Sequence, residues 1–469
     1  MNKYHTIAKN TVFVMLGTIG SKLIYVLMLP LYTRWLAADE FGAADTITVY
    51  TDILVTIVFL NIADSIFVFP KMADTDEKKK EYFSSGLFFM LLMSVIGGLF
   101  FLIADLFKGS FPSDNVFFKY KWLIYGLLVS RYVQIYVQEF SRSLDMLGVY
   151  SFAGVVLTGG IAVFSFLLIP SFGVHGYVHA IILAQLVTAT YSYVASKAGR
   201  YLKASAVKKQ PLKELLAYSV PLAPNSLMWW LINGINRPMM EHQLGLFAIG
   251  VYAVASRISG AINSISSIFG LAWGNSVLEE YGKDGFEQFY NNYLRILTTL
   301  YFVGCLLLVI LAKPLVALFT TPEYYDAATY IPVLALGLCF SCMGMSVGSI
   351  FSAVKKSKYY FYASVWGGVV SVGSLLVLMP IWGLMGVAIS LMLSFLTIML
   401  VRWYFASKYV CLKGILYYVF LVVMFFVVYL SDLYIDSFLK YVLDAAVIAA
   451  IIYNMRKELK KMIQVVLNR

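Results

Sequence analysis

Charged residues are rare inside the long apolar stretches of this chain, and those that occur there follow helical spacing. Four polar residues between positions 42 and 69 stand three or four positions apart and therefore share one helix face. They are Asp45, Thr48, Asp52 and Thr56. In apolar surroundings a carboxylate either balances a nearby positive charge or couples the movement of an ion. We predict one of these roles for Asp45 and Asp52.

A second stripe lies at positions 214–240, with a polar or aromatic side chain at every fourth position. Its members are Asn225, Trp229, Asn233 and Arg237. Pro221, Pro224 and Pro238 flank this stripe, and proline breaks or kinks a helix because it lacks an N–H group. The freed carbonyl groups then need water or protein partners. The pattern predicts a broken helix beside a hydrated cavity, with Trp229 able to stack on a sugar ring.

Other polar or aromatic side chains in the apolar stretches complete the candidate site. They are Lys22, Tyr25, Arg34, Arg131, Gln138 and Arg257. Cations in a membrane are costly unless they meet an anion, so these residues favour binding of an anionic substrate. Two structural alternatives stay open. Lys22 can pair with Asp45 or Asp52 merely to fix helix packing, and Arg34 can extend to the outer interface.

Other chemistries find little support in the residues. His175 and His179 have the spacing of metal ligands on a helix, but no third ligand lies nearby in the sequence. Cys339 and Cys342 fall in an apolar stretch, which favours packing over redox chemistry. The chain has no phosphate-binding loop. We therefore expect no enzyme activity and no metal or other cofactor, apart from a coupling ion that is sodium or a proton.

The composition explains why these side chains stand out. Hydrophobic residues make up 61% of the 469 residues and charged residues only 13%, against roughly 45–50% and 25% in soluble domains. Runs of about 20 apolar residues cross a bilayer as helices. They occur at 10–37, 42–69, 83–107, 116–140, 147–169, 174–196, 214–240, 246–273, 289–312, 328–353, 358–379, 384–406, 411–430 and 438–455. The sequence therefore predicts an all-α polytopic membrane protein with about 14 transmembrane helices.

The distribution of positive charge predicts the orientation of these helices. With the N-terminus in the cytoplasm, 26 of the 36 Lys and Arg residues fall on the cytoplasmic side and 5 on the outer side. Cytoplasmic loops of membrane proteins are enriched in Lys and Arg in this way. We predict that both termini are cytoplasmic. The net charge of +11 is then mainly topological, and no nucleic-acid partner is expected.

An internal duplication organises the helices. Pro170-Ser-Phe-Gly173-Val-His-Gly176 recurs 210 residues later as Pro380-Ile-Trp-Gly383-Leu-Met-Gly386, and Leu36 to Gly42 matches Leu244 to Gly250 at an offset of 208. Six helices per copy make both copies enter the membrane in the same direction, related by an axis along the membrane normal. The predicted domains are a six-helix lobe at 1–196, a basic cytoplasmic linker at 197–213, a second lobe at 214–410, and helices 13 and 14 with a basic tail at 411–469.

Further motifs carry a family resemblance. They are Asn10-Thr11, Gly17 to Lys22, Leu29 to Leu36, Glu40 to Asp45, and Thr321-Pro322-Glu323-Tyr324 with Ala327. With the helix count, the duplication and the linker, they resemble bacterial polysaccharide flippases of the multidrug/oligosaccharidyl-lipid/polysaccharide (MOP) exporter superfamily. The resemblance implies a MATE-like fold and alternating access of two lobes around a central cavity. It also implies transfer of an undecaprenyl-pyrophosphate-linked oligosaccharide to the outer leaflet of the bacterial cytoplasmic membrane. We hypothesise that Lys22 and Arg237, one from each lobe, help bind its head group.

Two alternatives remain open at this point. One is a cation-coupled multidrug exporter of the same superfamily, in which acidic residues should dominate the cavity. The other is a flippase for a teichoic-acid or peptidoglycan-type precursor. Basic residues in the spans are at least as numerous as acidic ones, which favours the anionic substrate. The partners expected are the lipid-linked oligosaccharide, membrane lipids, and a polysaccharide polymerase or other assembly protein, with the chain acting as a monomer.

Overall fold

A computed structural model describes residues 27–110, 115–435 and 438–454, and these residues are almost entirely helical with no β-strand among them. The helices of the first half are α1 (Leu29–Trp35), α2 (Ala38–Phe59), α3 (Ile62–Met72), α4 (Asp76–Ile103), α5 (Val116–Ser143), α6 (Leu147–Ala195), α7 (Lys209–Ser219), α8 (Ala223–Asn233), α9 (Asn236–Gln243) and α10 (Gly245–Ser259). Those of the second half are α11 (Ala261–Glu280), α12 (Phe286–Phe319), α13 (Ala327–Gly348), α14 (Ile350–Ala353), α15 (Lys358–Ala406), α16 (Ile415–Tyr434) and α17 (Phe438–Asn454).

Nine helical stretches of the described chain are long and apolar enough to cross a membrane. Two of them, α6 and α15, have 49 residues each, about 74 Å of helix at 1.5 Å per residue, or room for two spans apiece. The 28 residues of α5 carry Arg131, Glu139 and Arg142, which lower its hydropathy, and α17 has only 17 residues. The predicted all-α membrane fold is confirmed, while most of the predicted first span lies outside the described residues.

The chain reverses direction inside α6 and inside α15, each time at the glycine that the repeat motif contains. Gly173 has φ +52° and ψ −128°, and Gly383 has φ +54° and ψ −131°, a conformation that side-chain-bearing residues avoid. A Cβ placed at Gly160 would lie 3.2 Å from the Cβ of Ala184, so the two halves of α6 pack side by side. Each of the two long helices is therefore a hairpin of two antiparallel spans.

Close packing at the two hairpins is also repeated. A Cβ at Gly176 would lie 2.3 Å from the carbonyl oxygen of Leu168, and a Cβ at Gly386 would lie 2.1 Å from that of Leu378. Both glycines and both carbonyls are 210 positions apart. The same backbone geometry at the predicted offset confirms that the sequence motif is a structural repeat.

Four predicted single helices are interrupted, and one of them, 328–353, is divided into α13 and α14 at Ser349. The predicted span 42–69 is two helices, because Leu60 and Asn61 both adopt left-handed backbone angles, with φ of 50° and 56°. The predicted span 214–240 is three helices, α7, α8 and α9, in agreement with the breaks expected from its prolines. The predicted span 246–273 is divided into α10 and α11 at Gly260.

The chain forms two compact units. The first takes in the chain up to Trp230 together with Gly234–Gly250, and the second takes in Leu231–Asn233 and the chain from Val251 onwards. The division therefore falls within α8 and α10, and the predicted domain boundaries at 196, 213 and 410 stay predictions.

In the first unit the rings of Phe59 and Tyr132 stack at 3.8 Å between centroids.

Aromatic side chains in the second unit donate hydrogen bonds to the last carbonyl groups of α13. Trp273 Nε1 donates to the carbonyl of Ser346 at 2.8 Å, Tyr290 Oη to that of Val347 at 2.7 Å, and Tyr360 Oη to that of Gly348 at 2.7 Å. The last carbonyl groups of a helix have no partner within the helix. These three donors therefore stabilise the interruption between α13 and α14.

The hairpin glycines provide a test of the repeat. Replacing Gly173 or Gly383 with Ala should lower the free energy of unfolding by about 1–3 kcal/mol, because the added side chain forces a disfavoured backbone conformation. The matched controls are Gly159→Ala and Gly373→Ala, since a Cβ at either control position meets nothing within 4 Å. Thermal unfolding of the purified protein in detergent measures the difference. Equal stability of Gly173→Ala and Gly159→Ala would contradict this account of the hairpin.

Candidate functional site

Helix α2 carries the first polar stripe and begins at a well-defined N-terminus. Its first turn contains Asp39 and Glu40, and acidic side chains there favour the positive end of the helix dipole. Glu40 Oε2 also accepts a hydrogen bond from the backbone N–H of Ala37 at 3.2 Å. These interactions stabilise the start of α2.

The start of α2 packs directly against the start of α10, backbone to backbone, within the first unit. A Cβ at Gly42 would lie 2.0 Å from the carbonyl oxygen of Leu246, and a Cβ at Gly250 would lie 1.9 Å from that of Ala38. Small residues allow such close approach of two helices. Gly42 and Gly250 are equivalent positions of the two sequence repeats, so the repeats meet here at matching glycines.

A buried ion pair lies close to this crossing. Arg237 Nε donates to Asp45 Oδ2 at 3.0 Å, and both side chains are 11% exposed. Arg237 Nη1 also donates to Asn236 Oδ1 at 2.9 Å. Buried charges are tolerated only when they are paired and hydrogen-bonded. The two stripes predicted from the sequence thus meet at Asp45 and Arg237.

Glu241 adds a link that sequence reasoning missed. Its Oε2 accepts from Tyr50 Oη at 2.8 Å and its Oε1 from the backbone N–H of Val116 at 2.6 Å. Val116 is the first residue of α5, where unpaired N–H groups favour a carboxylate. A signal was present, because Glu241 continues the four-residue spacing that leads to Arg237. One carboxylate therefore ties α9 to both α2 and α5.

Two further hydrogen bonds extend the contact along α2. Trp230 Nε1 donates to the carbonyl of Val49 at 3.0 Å, and Asn61 Nδ2 donates to Ser226 Oγ at 2.7 Å. Asp45, Val49 and Asn61, the last just beyond α2, rise in number while their partners Arg237, Trp230 and Ser226 fall. Helix α2 therefore runs antiparallel to α8 and α9. We call the set formed by Asp45–Arg237, Tyr50–Glu241, Val49–Trp230 and Asn61–Ser226 the α2 ladder.

The predicted face of α8 is displaced by one residue from the face observed in the α2 ladder. Trp230 contacts α2 and Ser226 contacts Asn61 just beyond it. The stripe contained instead Asn225 and Trp229, which are half-buried, and Asn233, which is exposed. The interruption between α8 and α9 at Gly234–Ile235 breaks the regular spacing on which the stripe was based. Substrate-binding roles for Asn225, Trp229 and Asn233 stay predictions.

Asp52 is paired with Arg131 of α5 in the first unit. The carboxylate Oδ1 and the guanidinium Nη1 are in direct contact, and the side chains are 45% and 35% exposed. Charged side chains avoid lipid and face either protein or water. Arg131 is therefore paired but remains partly open to its surroundings, unlike the buried Arg237.

The remaining predicted residues have diverse surroundings. Gln138 donates to the carbonyl of Tyr150 at 2.9 Å. Arg34 is exposed in the first unit, and Arg257 is buried in the second. Lys22 and Tyr25 lie outside the described residues. Among the described residues, no group of three His, Cys, Asp or Glu side chains is arranged to hold a metal ion.

The second unit contains an apolar groove of about 400 Å³. It is lined by residues of α13, α15 and α16, among them Phe340, Met399, Val419 and Phe426. Val419 and Phe426 are exposed. A groove of this composition can accept hydrocarbon but offers almost nothing to a polar ligand.

The two ion pairs can be distinguished by mutation. Asp45→Asn should lower the free energy of unfolding by about 3–5 kcal/mol, because it removes the carboxylate that balances the buried charge of Arg237. Asp52→Asn, the matched control at a partly exposed pair, should cost at most about 1 kcal/mol. The double variant Asp45→Leu with Arg237→Met should recover most of the loss. Chemical unfolding in detergent measures all three; equal costs for the two single variants would refute the assignment.

Two family models match the chain. The model described as Polysaccharide biosynthesis protein matches residues 7–273, more than half of the chain, and the model described as MatE matches residues 221–375. The capsular polysaccharide biosynthesis protein CapF of Staphylococcus aureus is 25% identical over 201 residues, which cover 42% of this chain. The match spans 50% of that relative's length. An uncharacterized membrane protein of Methanocaldococcus jannaschii is 21% identical over 416 residues, or 84% of this chain and 97% of the relative.

Solved transporter structures share the fold. The lipid II flippase MurJ in an inward closed conformation has a TM-score of 0.72 at 16% identity, over 96% of this chain and 99% of that one. An inward-facing multidrug resistance MATE transporter of the MOP superfamily has a TM-score of 0.61 at 16% identity, over 82% and 94%. Such low identities establish the fold alone. The match over residues 7–273 shows that the chain belongs to the polysaccharide biosynthesis protein family, and its long apolar helices are those of a multi-pass membrane protein.

Proposed function

We propose that the protein flips a lipid-linked (undecaprenyl-pyrophosphate) oligosaccharide repeat unit from the inner to the outer leaflet of the bacterial cytoplasmic membrane, for surface polysaccharide biosynthesis. The observation that carries this proposal is the family match over residues 7–273. Those residues include both arginine–aspartate pairs of the first unit, Asp45–Arg237 and Asp52–Arg131.

The partly exposed pair supplies the first contact with the substrate. A diphosphate carries more negative charge than a carboxylate and offers the oxygen geometry that guanidinium groups bind bidentately. It therefore competes with Asp52 for Arg131. In this scheme Asp52 keeps Arg131 compensated when no substrate is bound, which is the charge-balancing role expected from the sequence.

The buried pair couples binding to movement. When the diphosphate takes the place of Asp45 on Arg237, the exchange removes the strongest electrostatic link in the α2 ladder. Helix α2 can then separate from α8 and α9, as alternating access requires. The enclosed carboxylate Asp45 is left to take up a proton or a sodium ion, which is the coupling role predicted for it.

The lipid part of the substrate needs only an apolar surface. The groove lined by α13, α15 and α16 is apolar enough to accept part of a polyprenyl chain. Burial of each methylene group stabilises such a chain by about 0.8 kcal/mol. We place part of the lipid there, while the sugars cross in water.

Cation-coupled drug export is the second candidate, favoured by the MatE match over residues 221–375. In that case the aspartates, rather than the arginines, bind the substrate. The two functions therefore predict opposite effects of charge removal at the Asp52–Arg131 pair.

The cellular setting follows from the proposed function. We place both termini in the cytoplasm, expect the chain to act as a monomer, and expect a polysaccharide polymerase to consume the flipped product. The basis is the bias of positive charge and the chemistry of the substrate.

Flipping of a fluorescent polyprenyl-diphosphate oligosaccharide in proteoliposomes tests the proposal. Arg131→Gln should raise the substrate concentration that gives half-maximal flipping about ten- to hundredfold. This factor corresponds to the loss of a charge-assisted contact of about 1.5–3 kcal/mol. Asp52→Asn should lower the substrate concentration that gives half-maximal flipping, because the diphosphate no longer competes with a carboxylate for Arg131. A cationic dye should not be transported.

Lys71→Gln is the matched control, since Lys71 forms an exposed ion pair with Asp145 at 2.7 Å. It should leave flipping unchanged. Transport of the cationic dye that is lost in Asp52→Asn and kept in Arg131→Gln, without flipping of the lipid-linked sugar, would establish the drug exporter instead.

A further inference from the structure

The segment that joins the two sequence repeats is tied down on the first unit. Ser84 Oγ donates to the carbonyl of Tyr201 at 3.0 Å and accepts from the N–H of Lys203 at 3.0 Å. Ser85 Oγ donates to the carbonyl of Lys208 at 3.2 Å and accepts from the N–H of the same residue at 3.0 Å. Two neighbouring serines of α4 thus hold residues 197–213, which we call the strap, at two points.

Side-chain contacts reinforce this attachment. Glu81 pairs with Lys208, and Glu214, just beyond the strap, accepts from Tyr82 Oη at 2.6 Å. Ser84 and Ser85 are 2% and 0% exposed. The backbone of the strap is therefore ordered before any ligand binds. Binding then loses less backbone conformational entropy than it would on a flexible loop.

The outward side of the strap is strongly basic. Its exposed cations, other than the paired Lys208, are Lys197, Arg200, Lys203, Lys209 and Lys213. Within the described part of the chain, none of these five has a carboxylate within salt-bridge distance. Between them lie Leu202 and Val207, which are 46% and 36% exposed.

This combination fits the surface of an anionic bilayer. The strap follows the C-terminal end of α6 at Ala195 and lies on the N-terminal end of α4. It therefore lies beside the ends of two helices that are long and apolar enough to cross a membrane. Lysine and arginine side chains there meet lipid headgroups, and the apolar side chains between them enter the headgroup boundary. The orientation of a membrane protein depends on how many Lys and Arg residues its loops contain. It does not require a fixed loop backbone, which the strap has in addition.

We propose that the strap is a docking surface for anionic phospholipid headgroups of the leaflet at this end of the spans. Leu202 and Val207 decide between a lipid and a free phosphate ion, because exposed apolar side chains contribute to binding only when the ligand brings hydrocarbon with it. The proposal concerns a surface separate from the α2 ladder and does not depend on which substrate is transported.

Titration of the full-length protein in neutral detergent with phosphatidylglycerol tests the proposal, with phosphatidylcholine as the reference lipid and the thermal midpoint as the readout. The triple variant Lys203→Gln, Lys209→Gln and Lys213→Gln should bind phosphatidylglycerol about 100-fold more weakly, on the order of fivefold for each charge removed. Its midpoint in phosphatidylcholine should equal that of the wild type, which shows that it is folded.

The charge-matched control is Lys355→Gln, Lys356→Gln and Lys358→Gln, three lysines beside the start of α15 in the second unit. This control should keep the affinity for phosphatidylglycerol. Ser84→Ala with Ser85→Ala retains every charge and should weaken binding severalfold by releasing the backbone. Equal losses in the two triple variants, unchanged binding in the strap variant, or displacement of the lipid by millimolar inorganic phosphate would each overturn the proposal.

Discussion

The pairing of Arg237 with Asp45 is the constraint around which the first unit is organised. Neither charge can remain buried without the other, so α2 and α9 are held together as long as no other ion takes the place of one partner. The close crossing of α2 with α10 at Gly42 and Gly250 lies beside this pair. Glu241 then extends the contact to α5. An interaction that is strong but exchangeable suits the conformational change that the proposed function requires.

The repeated hairpins provide the rigid background for such a change. Gly173 and Gly383 reverse the chain in the same unusual conformation, so the corresponding pairs of spans in both repeats are stiff units. The α2 ladder is different, because it consists of a few polar contacts between residues far apart in the sequence. Movement concentrates where contacts are few and exchangeable, and the densely packed hairpins resist it.

Much of the fold was predictable from sequence because its signals are local. Length and apolarity predict spans, and the motif ending at Gly176 predicts the repeat. The left-handed pair Leu60–Asn61 could not be predicted, since leucine disfavours that conformation and tertiary packing must impose it. Spacing placed Asp45 on one face of its helix but could not show that the face meets Arg237. The spacing extends to Glu241, yet its partners Tyr50 and Val116 are brought to it only by the fold.

The central claim is that α2 separates from α9 when substrate displaces Asp45 from Arg237. The distance between spin labels at Asp39→Cys and Gln243→Cys measures this separation most directly, because both positions are exposed and lie at the ends of α2 and α9. Exposed Cys411 is replaced with Ser. Double electron–electron resonance in proteoliposomes should show a second, longer distance when polyprenyl-diphosphate oligosaccharide is added, and Arg237→Gln should abolish its substrate dependence. A single unchanged distance in a sample that flips the substrate at the wild-type rate would contradict the account.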